Sequence, residues 1–398
     1  MADSVLLARQ PILDARGGLI GYELLFRPMP TGVPPDPVAA TATVIVNALA
    51  DVGLDAVVGS RTVWVNVTRE FLLSGAALPL PPDRVVLELV EDQRVDRQLL
   101  SALRGLADSG FAIALDDFEY TSRAQMPLLD VAQIVKLDVR ALDPVALAWH
   151  ARGLKARGMT LVAEKVETHE EHARCRALGF DAFQGYFFAK PALVTGRRVP
   201  SSHLTTLCAL IEAGDDVDIS VLHAIISRDL GLSQRMLRLA NAAAITPAHR
   251  VGSLRHALAR LGTNAVRRNA KLLSLAQLHD GPDVVINTAL VRAKMASELA
   301  AVAGARGGAC PERAFTVGLF SLIDALLNRP FRELACELPF DGRTMGALLE
   351  HSGPEGSLLD AIVAHERGGV PVGVDPAVLA RSYRSATAWA DALQPQLA

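Results

Sequence analysis

Six short apolar runs in the first half of the chain end at nearly regular intervals, and this spacing limits the fold more than any other feature. The runs are rich in valine, leucine and isoleucine, and they end near residues 67, 90, 118, 139, 167 and 188. Successive ends are therefore about 21 to 28 residues apart, the length of one strand followed by one helix. Such a period predicts either a doubly wound α/β sheet or a (β/α)8 barrel.

Two more strands are predicted ahead of these six. In the stretch "ARQPILDARGGLIGYELLFR", apolar residues flank a turn at residues 14–18, a pattern that is typical of a β-hairpin. No G-x-G-x-x-G motif follows the first strand, and this absence disfavours the doubly wound fold that binds dinucleotides.

The chain changes character near residue 200. From Ser201 onward, strand-like runs give way to segments with helical periodicity, such as residues 218–231 and 253–262, which begin at Asp or Ser and end at Gly. A chain of 398 residues also exceeds the size of one ordinary core. We therefore predict an α/β domain over residues 1–194, a linker over 195–202 and an all-α domain over 203–398.

The bulk composition limits the partners and the compartment. Half of the residues are hydrophobic, which predicts a globular protein, and a net charge of −3 gives no general affinity for nucleic acid. The four cysteines lie far apart without C-x-x-C spacing, as is typical of reduced cytosolic thiols. No run approaches the roughly 20 apolar residues of a membrane helix, and the first residues do not resemble a signal peptide. These features predict a soluble, cytoplasmic protein without membrane contact.

The predicted strands share one feature, because each apolar run stops at a polar or charged residue. In a barrel, the carboxyl ends of the strands meet on one face, where active sites lie. The side chains at these ends are Glu23, Asn66, Glu88, Asp116, Asp117, Lys136, Asp138, Glu164, Glu167 and Gln184. Carboxylate and amide oxygens are hard ligands that suit Mg²⁺ or Mn²⁺ better than zinc. The adjacent Asp116 and Asp117 would repel each other unless such cations lay beside them.

A rim of this kind supports hydrolysis of a phosphodiester. Bound divalent cations lower the pKa of a water molecule and neutralise the charge that develops on phosphorus. Lys136 would position that water, Glu164 would accept its proton, and Arg27 would donate to a phosphate oxygen. The alternative is that each acid only caps the helix that follows its strand, which is common at single positions. Their shared phase over so many strands favours one site.

The quoted motifs together resemble the EAL domain family of cyclic di-GMP phosphodiesterases. They are "GYELLFR", "VNV", "LELVE", "LDDF", "VKLD", "VAEKVE" and "FQGYFFAKP", and the resemblance covers residues 5–192. It implies a modified (β/α)8 EAL barrel that binds cyclic di-GMP together with two Mg²⁺ or Mn²⁺ ions. It also implies an activity, the opening of the cyclic dinucleotide to linear pGpG.

The resemblance further implies roles for individual residues. The metal ligands would be Glu23, Asn66, Glu88, Asp116 and Asp117. Lys136 would hold the attacking water, and Glu164 would be the general base. Glu167 and Gln184 would support the substrate site, and Arg27 would contact the nucleotide. Because the family couples metal binding to dimerisation, the resemblance also allows a homodimer.

The second half resembles the HDOD domain, a helical relative of the HD-type phosphohydrolases. The matching segments are residues 236–243, 253–262 and 314–327. Where an active HD enzyme has a His-Asp pair that ligates metal, this chain has Ser321 and Leu322, and Asp324 alone does not make a binuclear site. The resemblance therefore implies a regulatory or docking module for an unidentified protein partner. Together the two halves resemble the YuxH-type signalling subfamily.

Four positions depart from the EAL pattern. The signature Glu-Ala-Leu is Glu23-Leu24-Leu25, and the usual Thr two residues after Glu88 is Val90. The usual Gly after "DDF" is Glu119, which begins "EYTSRAQM" in place of a glycine-rich loop, and a further expected Gly is Lys165. We hypothesise that Glu119 and Lys165 pair across the mouth of the barrel and partly replace a cation. The alternative is that Lys165 points to solvent.

Two functions stay open at this point. In the first, which we favour, a degenerate EAL barrel binds cyclic di-GMP or only scaffolds, because Val90 and the altered loop weaken the support of the site. In the second, the chain is a metal-dependent cyclic di-GMP phosphodiesterase, which the presence of Lys136 and Glu164 favours. Nucleic-acid binding through residues 260–273 is disfavoured, because basic residues such as Arg267 and Lys271 are typical there of a solvated helix face.

Overall fold

The chain divides into two compact units. The first contains Met1–Phe188 and the segment Val363–Arg384, and the second contains Ala189–Ile362 and Ser385–Ala398. The computed structural model describes residues 5–28, 54, 58–74, 80–91, 93–118, 123–189, 201–214, 217–242, 251–278, 283–369, 371 and 373–397. Most of the expected linker, residues 195–200, lies outside the described residues, and the domain boundary therefore stays a prediction.

Eight strands form a closed barrel in the first unit, and they follow chain order around the ring. They are β1 (Val5–Asp14), β2 (Leu19–Pro28), β3 (Thr62–Val67), β4 (Val85–Leu89), β5 (Ala112–Leu115), β6 (Ile134–Asp138), β7 (Thr160–Glu164) and β8 (Ala182–Gln184). β1 is antiparallel to both of its neighbours, β2 and β8, whereas each of the other neighbouring pairs is parallel. This topology confirms the predicted modified (β/α)8 barrel.

The hairpin of β1 and β2 follows from the chemistry of its turn. Asp14 Oδ1 accepts hydrogen bonds from the backbone N–H groups of Arg16 and Gly18, at 2.7 and 2.8 Å. Gly17 has a φ of 83°, in the left-handed region that glycine adopts without a steric penalty. Beyond the turn, a register shift between Ile12 and Leu13 places Gln10 opposite Glu23.

Four helices of the barrel unit begin at polar caps. They are α1 (Arg69–Leu73), α2 (Arg97–Asp108), α3 (Pro144–Ala156) and α4 (His169–Ala177). The caps are the side chains of Thr68, Asp96, Asp143 and Thr168, each of which accepts a hydrogen bond from a backbone N–H in the first turn. The candidate metal ligands are therefore separate from the residues that cap these helices.

A layer of apolar side chains fills the barrel interior directly below the candidate site. The layer contains Ile12, Trp64, Val86, Ala114, Val162 and Ala182, and Ile134 packs against it. Since side chains alternate along a strand, the residue two positions further on points to the same interior. On the parallel strands β3 to β8 those positions are Asn66, Glu88, Asp116, Lys136, Glu164 and Gln184. The alternation of side chains along the strands is therefore enough to place the candidate residues in one layer.

The second unit is built from helices. They are α5 (Ser201–Glu212), α6 (Ile219–Ile226), α7 (Leu230–Ala242), α8 (Leu254–Leu261), α9 (Thr263–Leu278), α10 (Asp283–Ala303), α11 (Pro311–Phe320), α12 (Ile323–Leu327), α13 (Phe331–Leu334) and α14 (Gly342–Leu349). Two further helices, α15 (Gly353–Glu366) and α16 (Pro376–Leu397), close the chain. This confirms the predicted all-helical second half. Every helix among the described residues is too short or too polar to span a bilayer.

Two basic residues of α9 do not form the solvated face that the sequence suggested. Arg267 and Lys271 are both buried, and Arg267 pairs with Glu312 at 3.3 Å. Charged side chains enter a protein interior when the fold pairs them, so the role of this pair is structural. The expectation of a solvated helix face was wrong for these two residues.

Candidate functional site

The ammonium group of Lys136 lies at the centre of the polar layer. Its Nζ is 3.2 Å from Glu23, 3.3 Å from Asp116 and 2.5 Å from Glu164, and it also contacts a carboxylate oxygen of Glu88. The Lys136 side chain is 1% exposed, and that of Glu88 is fully buried. These residues come from five different strands or strand ends, so closure of the barrel assembles the cluster.

Two amide side chains orient Glu23 within this layer. Asn66 Nδ2 donates to Glu23 Oε1 at 3.0 Å, and Gln184 Nε2 donates to Glu23 Oε2 at 2.5 Å. The same Gln184 nitrogen also donates to Gln10 Oε1, at 2.9 Å. The N–H groups of both amides therefore donate to residues inside the cluster. Their oxygens remain as acceptors that could bind a ligand.

Several buried oxygens of the layer have no hydrogen-bond partner among the described residues. They are Asn66 Oδ1, Asp117 Oδ1, Gln184 Oε1 and Glu88 Oε2, the Glu88 oxygen that Lys136 does not contact. Buried polar atoms are nearly always satisfied in folded proteins, and a group of unsatisfied oxygens in one place requires an explanation. Bound divalent cations would accept lone pairs of this kind, because oxygen donors are the ligands that Mg²⁺ and Mn²⁺ prefer.

A second lysine faces the outer edge of the layer. Lys165 Nζ is 2.5 Å from Asp138 Oδ2 and 3.5 Å from Asp117 Oδ2. Glu119, with which we expected Lys165 to pair, lies outside the described residues, and that pairing stays a prediction. Lys165 is partly exposed, but it does not simply point to solvent, because two carboxylates bind its ammonium group.

Burial and mutual repulsion raise the proton affinity of two carboxylates. Burial, together with repulsion from Glu164, Glu23 and Asp117, raises the pKa of Asp116 to about 9. Burial also raises the pKa of Glu164, with a contribution from Glu23, although the Lys136 ammonium opposes this rise. Without further positive charge, Asp116 therefore holds a proton at neutral pH.

In the ion pair of Glu23 and Lys136, attraction between the two charges outweighs the effect of burial on both pKa values. Burial would raise the pKa of Glu23, but Lys136 and the hydrogen bonds from Gln184 and Asn66 outweigh it and lower the pKa. Burial would likewise lower the pKa of Lys136, but Glu23 and Glu164 stabilise the ammonium form and raise it. Lys136 is therefore a permanent cation that cannot neutralise all of its neighbours.

The carboxylates form two overlapping groups that could each hold a metal ion. Ligand atoms of Glu23, Glu88 and Glu164 lie within 4.8 Å of one another, and so do those of Asp116, Asp117 and Glu164. An acidic cluster alone does not establish a metal site. Here the unsatisfied oxygens and the excess of five carboxylates over two nearby ammonium groups both fit a divalent cation.

Of the expected substrate-binding residues, Glu167 is not part of this cluster, and Arg27 cannot be placed relative to it. The side chain of Glu167 is half exposed and pairs with Arg140 at 2.5 Å, while its backbone N–H donates to Glu171. Arg27 lies on β2 opposite Leu6, and its side chain lies outside the described part of the chain. Their predicted roles toward a nucleotide stay predictions.

Sequence reasoning missed Gln10 as a member of the site. Gln10 on β1 lies opposite Glu23 on β2 and accepts from Gln184. The available signal was incomplete, because counting outward from the hairpin turn at residues 14–18 pairs Gln10 with Tyr22. A register shift between Ile12 and Leu13, which the sequence does not show, brings Gln10 opposite Glu23 instead.

The helical unit has no matching site where the HD-type enzymes ligate metal. Ser321 Oγ accepts a hydrogen bond from Arg292 at 3.1 Å and donates to the Gly318 carbonyl, and Leu322 is buried. Among the described residues of this unit, no group of three or more acids, histidines or cysteines has metal-binding geometry. Serine and leucine thus complete a packed interior at this position.

Comparisons with known proteins agree with this division of the chain. The model of the EAL domain matches residues 67–191, and the model of the HDOD domain matches residues 200–333. The cyclic di-GMP phosphodiesterase CdgJ of Vibrio cholerae is 33% identical over 361 residues, which cover 89% of this chain and 83% of that protein. The Bacillus subtilis protein YuxH is 29% identical over 372 residues, which cover 90% of each chain.

Two solved structures each cover about half of the chain. The Klebsiella pneumoniae BlrP1 complex with calcium and cyclic di-GMP is 23% identical, covers 48% of this chain and 56% of that chain, and gives a TM-score of 0.40. An EAL protein of Vibrio cholerae O395 with cyclic di-GMP bound is 24% identical, covers 48% of this chain and 92% of that one, and gives a TM-score of 0.35. From the two domain matches and the full-length relatives, this chain belongs to the family of proteins that join an EAL domain to an HDOD domain.

Proposed function

We propose that this chain is a cyclic di-GMP signalling protein whose barrel binds cyclic di-GMP beside a Mg²⁺ or Mn²⁺ site and hydrolyses it to linear pGpG. The observation that carries this proposal is the buried layer around Lys136, in which carboxylates outnumber ammonium groups and several oxygens lack partners. The name of CdgJ, a cyclic di-GMP phosphodiesterase related over most of both chains, supports the choice of nucleotide.

The proposed ligands of the cation are Glu23, Asn66, Glu88, Asp116 and Asp117. Their fit is supported by the two carboxylate groups that share Glu164 and by the unsatisfied oxygens of Asn66, Glu88 and Asp117. When bound, a divalent cation would activate a water molecule and neutralise charge on the phosphate.

The chain's own residues would then act on the water and the phosphodiester. Glu164 is the proposed general base, because its raised pKa favours proton uptake from the attacking water. Lys136 would orient that water and stabilise the added negative charge. The water oxygen bonds to phosphorus while the bond from phosphorus to the 3′ oxygen breaks, which leaves pGpG with a terminal phosphate and a 3′ hydroxyl. Arg27, Gln184 and Glu167 are the proposed contacts to the nucleotide.

The test measures binding and product in one preparation of the full chain. Cyclic di-GMP is added with Mn²⁺, the binding heat is recorded, and pGpG is quantified by chromatography. We expect product from the wild type, nucleotide binding without product from Glu164→Gln, and wild-type behaviour from Lys155→Met. Lys155 is a matched control because it pairs with Asp181 at 2.9 Å, outside the cluster. Absence of both binding and product would refute the proposal.

A second candidate function is binding of cyclic di-GMP without turnover. The specific observation in its favour is Lys165, whose ammonium group already binds Asp117, one of the proposed ligands. A positive charge at that position would compete with a cation needed for hydrolysis. Binding heat from the wild type without any pGpG would select this candidate.

We further propose that the helical domain regulates the barrel or docks a protein partner, and that it binds no metal itself. The hydrogen-bonded Ser321 and the buried Leu322 support this role. If it is correct, a Glu88→Gln, Asp116→Asn double variant of the full chain should bind no Mn²⁺ at all.

A homodimer stays an expectation from the family. The four free cysteines support a cytoplasmic location.

A further inference from the structure

Lys165 occupies a backbone conformation that normally belongs to glycine. Its φ is 55°, and Asp117, which its ammonium group contacts, has a φ of 40°. Only Asn328 and His351 share this property among the other non-glycine residues that the structure describes. A lysine in the left-handed region is strained, and such strain is retained when the side chain has a function. The reason for a lysine here must therefore lie with its side chain.

The ammonium group of Lys165 is held over one of the two carboxylate groups. Asp138 anchors it at 2.5 Å, and from there Nζ reaches Asp117 Oδ2 at 3.5 Å. Asp138 is itself fixed, because its other oxygen accepts from the backbone N–H groups of Arg140 and Ala141. The contact with Asp138 thus positions a positive charge at the edge of the site.

With this contact, each carboxylate in the group of Asp116, Asp117 and Glu164 already has an ammonium partner. Lys136 is 3.3 Å from Asp116 and 2.5 Å from Glu164, and Lys165 is 3.5 Å from Asp117. A divalent cation that binds this group must approach both ammonium groups, and like charges at such distances repel. In the other group, Glu23, Glu88 and Glu164 share the single ammonium group of Lys136, so a cation bound there would approach one ammonium group instead of two.

We propose that Lys165 takes the place of a second divalent cation at the group of Asp116, Asp117 and Glu164. The barrel then binds one ion tightly, through the group that contains Glu88, and a second ion only weakly. This inference rests on the proposed function, because it assumes that the site binds a divalent cation. It makes Lys165 a positioning residue, which sets the number of ions and not the identity of the substrate.

The test is a calorimetric titration of the full chain with Mn²⁺ alone, which needs neither substrate nor turnover. For the wild type we expect one tight ion and a second at least about 10-fold weaker. Lys165→Gly and Lys165→Met should each tighten the second ion by about 10-fold or more, since both remove the charge. Lys165→Arg keeps the charge and should titrate like the wild type, as should the distant Lys155→Met.

The glycine variant protects the test against misfolding, because glycine relieves the backbone strain at this position. Circular dichroism and thermal unfolding check that each variant is folded, and Lys165→Asn, which tolerates a positive φ, is the reserve variant. Superimposable titrations of the wild type and the two uncharged variants would overturn the inference while leaving the metal site intact. Absence of Mn²⁺ binding in every protein would overturn the metal site as well, so the two failures are distinguishable.

Discussion

The barrel and the helical unit both bury charged side chains, but they neutralise them differently. In the barrel, the carboxylates of Glu23, Glu88, Asp116 and Glu164 converge on the single ammonium group of Lys136. The cluster therefore keeps an excess of negative charge, and burial raises the pKa of Asp116 to about 9.

In the helical unit, two buried charged residues each have an individual partner of opposite charge. Arg267 pairs with Glu312 at 3.3 Å. Glu355 accepts from the Cys310 backbone N–H at 2.9 Å and pairs with Arg313 at 3.3 Å. Charges matched in this way stabilise the fold whether or not a ligand is bound.

The difference shows which buried charges indicate a ligand. A matched pair has its hydrogen bonds and its countercharge within the chain, whereas an excess of like charge is costly to fold until something neutralises it. In the helical unit, Ser321 is hydrogen-bonded and Leu322 is buried, and neither side chain needs a cation. The barrel has kept its excess of carboxylates, and the stability of the two regions should therefore respond differently to metal.

Loss of the Lys136 ammonium group should have the largest effect on stability. In metal-free protein, Lys136→Met should lower the free energy of unfolding of the barrel by about 3–5 kcal/mol, because it leaves four carboxylates, three of them buried, without their ammonium group. Urea unfolding in the presence of a chelator measures the loss, with Lys155→Met as the control. Added Mn²⁺ should restore part of it. A loss that Mn²⁺ leaves untouched would mean that the barrel charges are structural, as in the helical unit.

The matched pair of the helical unit should behave in the opposite way. Glu355→Gln should cost about 1–3 kcal/mol, since it weakens a buried acceptor for Cys310 N–H and leaves Arg313 with less countercharge. The same urea experiment applies, and here Mn²⁺ should restore nothing. If Mn²⁺ did stabilise this variant selectively, the helical unit would contain a cation site and the contrast would fail.

The sequence predicted the strands well because each one ends where an apolar run meets a polar residue. The run "TVWVNV" is strand β3, Thr62–Val67, and the hairpin follows from the turn at residues 14–18. The same phase placed Glu88 and Glu164 two positions beyond apolar core residues, and this is why the candidate site could be predicted as one layer.

Contacts that depend on three-dimensional closure could not be predicted. The sequence places Lys136 on the same rim as the carboxylates, but it does not show that one ammonium group contacts four of them, because the barrel must close before β2 approaches β6. Lys165 binds Asp138 from a left-handed backbone conformation, which a lysine rarely adopts. The residue type alone therefore does not predict this contact. Likewise, helical periodicity does not reveal that Val363–Arg384 groups with the barrel unit.

The pH dependence of stability should report directly on the excess negative charge of the barrel, through Asp116. The folded pKa of Asp116, about 9, lies above its ordinary value of 3.8, so between these values the folded state holds a proton that the unfolded state has lost. The contribution of Asp116 to metal-free stability is therefore fully present below about pH 4 and is lost as the pH rises through 9. Urea midpoints across this range should fall for the wild type and fall less for Asp116→Asn. Equal slopes in the two proteins would contradict the assignment.

The smallest expected effect concerns Asp324, the acid that remains beside Ser321 and Leu322. Burial raises the pKa of Asp324, although the backbone N–H of Ala325, at 2.8 Å from Oδ1, and the nearby Arg292 oppose the rise. Asparagine keeps the accepting oxygen and removes the buried charge, so Asp324→Asn should stabilise the protein at pH 7 by less than about 1 kcal/mol.

The size of this gain in stability should depend on pH. Because the folded pKa of Asp324 is raised, the wild type loses stability as the pH rises above about 4, and the asparagine variant escapes that loss. The gain should therefore disappear near pH 4. Asp218, an exposed cap with a lowered pKa, provides the control, because Asp218→Asn should lose stability relative to the wild type over the same range. Mn²⁺ should alter neither result, whereas it should abolish the pH slope that Asp116 causes. If Asp324→Asn were destabilising at pH 7, the Arg292 contact would outweigh the cost of burial, and this acid would be one more matched charge.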